Sequence, residues 1–185
     1  IDFHNGDGNM PGQDTPRINL AAAGDEPAIE LPAIGQGTWY MGEGLAPRKD
    51  EVRALQQGLE HGLMLIDTAE MYPVPPRTET YSKTEQIIGS YFKQRGDRVD
   101  WILASKIAGP GNGISHIRDG QLKFNRQHIV AALDASLKRL QTDWIDLYQL
   151  HWPERPTNFF GQLDYKHQDV EFTPLEETLE VLDEQ

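Results

Sequence analysis

Four polar residues close four successive strand-like segments of the chain. Thr38 follows Ile34-Gly35-Gln36-Gly37, Asp67 follows Leu63-Met64-Leu65-Ile66, Lys106 follows Trp101-Ile102-Leu103-Ala104-Ser105, and His151 follows Leu147-Tyr148-Gln149-Leu150. Tyr72 lies in the connection that begins at Asp67. In a barrel of alternating strands and helices, side chains leaving the C-terminal strand ends converge on one mouth, where the chemistry is done. Asp, Tyr, Lys and His gathered there make a proton-transfer set. A phenol with an ordinary pKa of about 10 exchanges protons poorly at neutral pH unless a cation stands beside it. Lys106 is the candidate cation, Asp67 on the neighbouring strand its counter-charge, and His151 a hydrogen-bond donor to a substrate oxygen. Such an array protonates an oxygen as negative charge develops on it. Each residue also has a plainer reading: Asp67 as a turn or cap residue, Tyr72 as a cover over the mouth, Lys106 as a solvated cation, His151 beside Trp152 as a structural histidine. Their joint occurrence at successive strand ends favours chemistry.

The elements that must position them follow from periodicity and punctuation. From Pro32 onward, strand and helix signals alternate as a parallel sheet with crossover helices requires. A helix is expected over Arg48 to His61, with Val52, Leu55 and Leu59 on one face and Gly62 as a left-handed stop. A second opens at Ser82-Lys83-Thr84-Glu85, which has the pattern of a capping box, and buries Ile87, Ile88 and Tyr91. A third opens at Asn125 and carries Ile129, Leu133, Leu137 and Leu140 at helical spacing. The fourth opens at Thr173-Pro174-Leu175-Glu176, with Pro174 at the first helical position and a second capping box. Upstream, Arg17 to Leu20 and Ala28 to Leu31 flank the turn-forming Gly24-Asp25-Glu26-Pro27 and predict a hairpin. Residues 1–16 are poor in apolar side chains and predict a loose tail. Within it, Asn5-Gly6-Asp7-Gly8-Asn9 alternates oxygen ligands like a calcium loop but lacks the full spacing and the closing Glu, so no metal site is expected. Two long connections, about Ile107 to Phe124 and Trp152 to Phe172, leave the end where the polar residues gather, as lids and binding loops do.

The chain has 185 residues, whereas an eight-fold barrel takes roughly 250. Strand-plus-helix repeats can be counted only as far as a fourth before Gln185, and the first residue is Ile1 rather than Met. The expectation is the N-terminal half of a (β/α)8 TIM barrel. Its partial barrel domain would run over 17–185, with the hairpin in 17–31 and the barrel repeats in 32–185. A net charge of −12 and a pI near 4.8 argue against nucleic acid or an anionic membrane as a partner. The absence of cysteine removes disulfides and thiolate chemistry. No apolar run approaches the roughly 20 residues that span a bilayer, and a cytoplasmic location is the default expectation.

The segments Asp67-Thr68-Ala69-Glu70-Met71-Tyr72, Ser105-Lys106 and Leu150-His151-Trp152 resemble the tetrad motifs of the aldo-keto reductases. The likeness extends to Ile34-Gly35-Gln36-Gly37-Thr38-Trp39 and Ser136-Leu137-Lys138-Arg139-Leu140. It covers the chain from Leu31 to Gln185. Pro73 to Arg77 and His151 to Asn158 are similar to the Tas-type bacterial branch, whereas Ile34 to Met71 is more similar to a different bacterial branch. The resemblance implies hydride transfer from a nicotinamide cofactor, usually NADPH, to the carbonyl carbon of a small aldehyde or ketone. It implies Tyr72 as the acid, Lys106 and Asp67 as the groups that tune it, and His151 as the group that orients the carbonyl. Gly37, Thr38, Trp39 and Asp67 would contact the cofactor; Trp39, His151 and Trp152 would wall the substrate side. In that family the adenosine and phosphate pocket comes from strands five to eight, which this sequence does not contain. Two other readings stay open. One treats Lys106 as a Schiff-base nucleophile with Tyr72 and Asp67 shuttling protons, and it explains His151 and Gly37-Thr38-Trp39 less well. The other is a binding module or a chain without activity of its own, since half a barrel leaves edge strands and an apolar inner face uncovered.

Overall fold

A computed structural model describes residues 15–20, 28–111, 113–155, 163–167 and 169–185. The elements in chain order are β1 (Arg17–Leu20), β2 (Ile29–Pro32), β3 (Gln36–Gly37), α1 (Arg48–Glu60), β4 (Leu65–Asp67), α2 (Lys83–Arg95), β5 (Ile102–Ile107), α3 (Arg126–Leu140), β6 (Leu147–Leu150) and α4 (Leu175–Asp183). Strands β3, β4, β5 and β6 lie side by side in sequence order and all pair in parallel. Helices fill the crossovers between β3 and β6, so the architecture is that of the first four strand-helix repeats of a (β/α)8 barrel.

Strands covered on both faces become apolar runs, and Ile66, Leu103 and Ile107 are fully buried here. Leu55 of α1, Ile88 and Phe92 of α2 and Leu140 of α3 pack with Ile66 and Leu103 into one cluster between the helices and the sheet. The register then sets the functional geometry. Asp67 pairs with Ala104, and Lys106 lies two residues farther along β5, on the same side of the sheet as Ala104 because strand side chains alternate.

Helix α1 ends as expected, with Gly62 at φ +77°. Helix α3 is capped by Asn125, whose side-chain oxygen accepts from the His128 amide at 3.1 Å. The two expected capping boxes do not form. Ser82 adopts φ 60° without capping its helix, and its hydroxyl accepts from Gln86 Nε2 instead. The Glu85 carboxylate is fully buried; it accepts from Ser105 Oγ at 2.7 Å and from Arg139 Nε at 2.6 Å. A charged hydrogen bond inside the protein outweighs the reciprocal cap on a helix turn. At α4, Pro174 precedes the helix rather than opening it, and the Thr173 amide donates to Glu154 Oε1 at 2.9 Å. Strand bounds also differ from expectation. β3 is only two residues long, leaving Ile34 59% exposed, whereas β4 includes Asp67 and β5 includes Lys106.

The hairpin is present as an antiparallel β1–β2 pair, with Arg17 opposite Pro32. Thr15 Oγ1 donates to His61 O at 3.2 Å and Arg17 Nη2 lies 3.6 Å from Met64 Sδ. Both contacts fall just before β4, so the hairpin attaches at the end of the sheet opposite the polar strand ends. The expected turn at Gly24 to Pro27, the expected loose tail over 1–16 apart from Thr15 and Pro16, with its calcium-like run, and part of the loop after Trp152 lie outside the described residues; Thr15 and Pro16 are held, Pro16 O accepting from the Ala33 amide at 2.7 Å. Among the described residues, no cluster of acidic or histidine side chains could hold a metal ion, and no helix is long and apolar enough to cross a membrane.

Helices α2 and α3 touch at Gly89, where an added Cβ would stand 2.2 Å from the backbone oxygen of Arg139. Gly89→Ala is expected to force the helices apart and to destabilise the fold by about 1–3 kcal/mol, the cost of overpacking a tight site. Thermal unfolding of the variant against wild type measures it.

Candidate active site

The chain beyond β4 keeps pairing with β5 before it turns. The Thr68 amide donates to Ala104 O at 2.9 Å, the Glu70 amide to Lys106 O at 3.1 Å, and the Tyr72 amide closes a turn onto Ala69 O at 3.1 Å. This returns the phenol to the end of β5. Lys106 Nζ donates to Asp67 Oδ2 and to Thr68 O, both at 2.7 Å. It lies 5.1 Å from the centre of the Tyr72 ring, within range of a cation–π attraction. The Tyr72 ring meets His151 edge-on at 5.6 Å, and His151 in turn lies 4.7 Å from Trp152. The His151 amide donates to Ile107 O at 3.0 Å, which seats the imidazole beside the end of β5. All four residues of the expected tetrad are therefore brought together.

The cofactor-side and substrate-side candidates gather around them. Thr38 donates from its amide and from Oγ1 to Asp67 O, at 3.1 and 2.8 Å, so its hydroxyl serves the strand ends. Gly37 pairs with Asp67, and a Cβ added there would meet nothing within 4 Å. Crowding by the described residues does not demand glycine at that position; the strand end faces open space. Trp39 is 51% exposed and stacks on Tyr40, while its carbonyl accepts from the Val74 amide at 2.9 Å, tying it to the segment after Tyr72. Trp152 is buried, and its indole donates to Pro110 O at 2.8 Å.

Burial sets the electrostatics. The Tyr72 phenol is pushed up to about 12, first by burial and then by the Asp67 carboxylate. It holds its proton until a stronger base arrives. Burial lowers the Lys106 ammonium from its ordinary value, and the Asp67 hydrogen bond and charge oppose that shift. The His151 imidazole is pushed down to about 4 by burial and by the nearby Lys106 charge, against the pull of Asp67. The unfolded chain therefore binds a proton at His151 that the folded chain rejects. Stability from this group is fully present above the ordinary value of 6.5 and declines as pH falls toward 4. The loss is on the order of 1–3 kcal/mol. Unfolding curves from pH 7 to pH 4 should fall more steeply for wild type than for His151→Phe; parallel curves would contradict the buried neutral imidazole.

Glu70 does not stand out in the sequence as a site residue. It stands inside the motif, yet its carboxylate is 1% exposed, accepts from the Ala108 amide at 2.6 Å and forms an ion pair with Arg118. An acidic residue amid the small and apolar Thr68, Ala69 and Met71 was the available signal.

Residues 33–185 match the sequence profile described as the aldo/keto reductase family. Protein tas of Escherichia coli is 45% identical over 157 residues, covering 84% of this chain and 44% of that protein. Methylglyoxal reductase YeaE of Escherichia coli is 44% identical over 124 residues, covering 67% of this chain and 36% of its own length. A crystal structure of an aldo/keto reductase from Klebsiella pneumoniae, in complex with NADP and acetate, superposes with a TM-score of 0.56 at 36% identity. It covers 84% of this chain and 41% of its own. The chain thus spans less than half the length of these relatives. With the strand order, the strand-end residues and the profile match in agreement, the chain belongs to the aldo/keto reductase family.

Proposed function

We propose that this chain carries the proton-donating site of an NADPH-dependent reductase that converts aldehydes or ketones to alcohols. The observation that carries the reading is the placement of Lys106 Nζ, 2.7 Å from Asp67 Oδ2 and 5.1 Å from the Tyr72 ring, with His151 on that same ring. The residues present fit the nicotinamide end of such a cofactor. The Asp67 side chain is 40% exposed, and among the described residues only its Oδ2 is engaged, which leaves Oδ1 to accept a hydrogen bond. Gly37 opens the strand end to close approach, and Trp39 offers an exposed aromatic face. When bound, the cofactor supplies the hydride.

The remaining work falls to side chains. Tyr72 Oη holds a proton beside the carbonyl oxygen and releases it as that oxygen becomes an alkoxide, a base strong enough to take it from a phenol raised to about 12. Lys106 stabilises the phenolate that results, and Asp67 fixes Lys106 in place. His151 is neutral above about pH 4, and its buried Nδ1 has no hydrogen-bond partner among the described residues. That favours the tautomer with the proton on Nε2, where it can be donated to the substrate oxygen. Trp39 and Trp152 exclude water from the apolar side.

The assay is oxidation of NADPH by the chain with methylglyoxal and with a simple aromatic aldehyde. Turnover that requires both NADPH and carbonyl supports the reading; carbonyl loss without NADPH oxidation contradicts it. One observation favours the Schiff-base reading, since burial lowers the Lys106 pKa as an amine nucleophile requires. Against it, Nζ already donates to two acceptors at 2.7 Å, which holds it as an ammonium. Borohydride with substrate should leave no adduct on Lys106 by mass spectrometry.

A further inference from the structure

Glu70 lies between Asp67 and Tyr72 in sequence, and what it binds belongs to a different part of the chain. Its backbone amide donates to Lys106 O at the end of β5. Its carboxylate accepts from the amide of Ala108, the first residue beyond β5, at 2.6 Å. Arg118 Nη1 bridges both carboxylate oxygens, and Arg118 Nη2 donates to Ala108 O at 2.9 Å. The carboxylate thus pins both the start of the loop after β5 and a residue near its far end. Burial pushes the Glu70 carboxyl up from its ordinary value, against the pull of Arg118 and the Ala108 amide.

The pinned loop reaches the site at once. Pro110 O accepts the Trp152 indole N–H at 2.8 Å, and a Cβ at Gly109 would lie 2.7 Å from Trp152 Nε1, so the loop can sit against that ring only with glycine there. Ile114, Ile117 and Leu122 of the same loop pack in one buried cluster with Met71, Tyr72 and Trp152. Arg118 itself has φ 43°, in the left-handed region, which costs roughly 1–2 kcal/mol for a residue with a Cβ; its contacts must hold it there. A buried ion pair gives little net stability over an apolar substitute, whereas breaking one partner leaves a charge uncompensated. Such a pair is better understood as fixing one geometry.

We propose that Glu70 and Arg118 are a positioning pair, which locks the loop after β5 so that Tyr72 and Trp152 both stand against the His151 ring. Its catalytic part rests on the reductase reading; the placement of Trp152 does not, and can be read without turnover. The probes are Glu70→Gln, which removes the charge with little change of shape, and Arg118→Lys, which keeps the charge but loses the planar fork. The indole N–H signals in 1H–15N spectra of the whole chain are assigned for Trp152 through Trp152→Phe. In both variants the Trp152 signal should shift, while those of Trp101, in the cluster between the helices and the sheet, and Trp144, whose ring lies against Arg98, stay in place. With methylglyoxal and NADPH, kcat should fall about 100-fold for Glu70→Gln and about 10-fold for Arg118→Lys with KM changed little, as expected when reacting groups are misplaced rather than removed. An unmoved Trp152 signal in a folded variant, or a shifted one with wild-type kcat, overturns the proposal. If Glu70→Gln does not fold, Arg118→Lys decides. If the signal shifts but wild type turns over no carbonyl, the reductase reading fails and the loop-positioning role stands.

Discussion

Tyr72→Phe is expected to lower kcat for carbonyl reduction by about 100- to 10,000-fold, the range over which a positioned general acid acts. The fold should survive the change. Tyr72 is 8% exposed and packs through its ring against Met71, Ala69 and Trp152, and phenylalanine keeps that ring. Thermal unfolding should therefore shift little, and binding of NADPH should stay near wild type because the role proposed for the hydroxyl is at the substrate oxygen. A drop confined to KM, with kcat intact, would mean that the phenol binds the substrate but does not protonate it.

The second large effect is expected from Lys106→Met. Its ammonium is the only cation described in contact with Asp67, and without it the buried phenol must release its proton with nothing to stabilise the phenolate. Removal of one preorganised electrostatic donor from an active site costs about 100- to 1,000-fold in kcat, and a similar loss is expected here. Stability should suffer less, since the carboxylate left behind is 40% exposed and can be solvated. Lys106→Arg should not restore activity, because the larger, planar guanidinium does not fit the place of the compact ammonium, which stands 2.7 Å from both Asp67 Oδ2 and Thr68 O. Single-turnover rates of the two variants separate this loss from any change in cofactor affinity.

Asp67 and Lys106 were legible because each follows a short apolar run, and strands buried on both faces, as at Ile66 and Leu103, read as such runs. Helices α1 and α3 were legible from the spacing of Leu55 and Leu59 and of Ile129 and Leu140, and from end signals at Gly62 and Asn125 that act locally. The capping boxes at Ser82 and Thr173 misled because a local pattern cannot reveal a distant competitor. Arg139 is 54 positions from Glu85, and Glu154 is 19 from Thr173; each interaction draws a group out of its local cap. Glu70 was hidden for the same reason, its partner Arg118 being 48 residues away. At Ile34 the apolar side chain suggested a strand residue, but β3 begins only at Gln36, whose side chain donates to Leu63 O and Leu55 O.

In the proposed reaction, Asp67, Tyr72, Lys106 and His151 deliver a proton to a carbonyl oxygen while its carbon receives hydride from NADPH. Its most direct test uses NADPH deuterated at the transferable position, methylglyoxal as substrate and mass spectrometry of the alcohol. One deuterium is expected on the carbinol carbon per NADPH oxidised by the wild-type chain, at a rate about 100-fold or more above that of Tyr72→Phe. Alcohol formed without deuterium, or deuterium transferred equally fast by wild type and Tyr72→Phe, would contradict it.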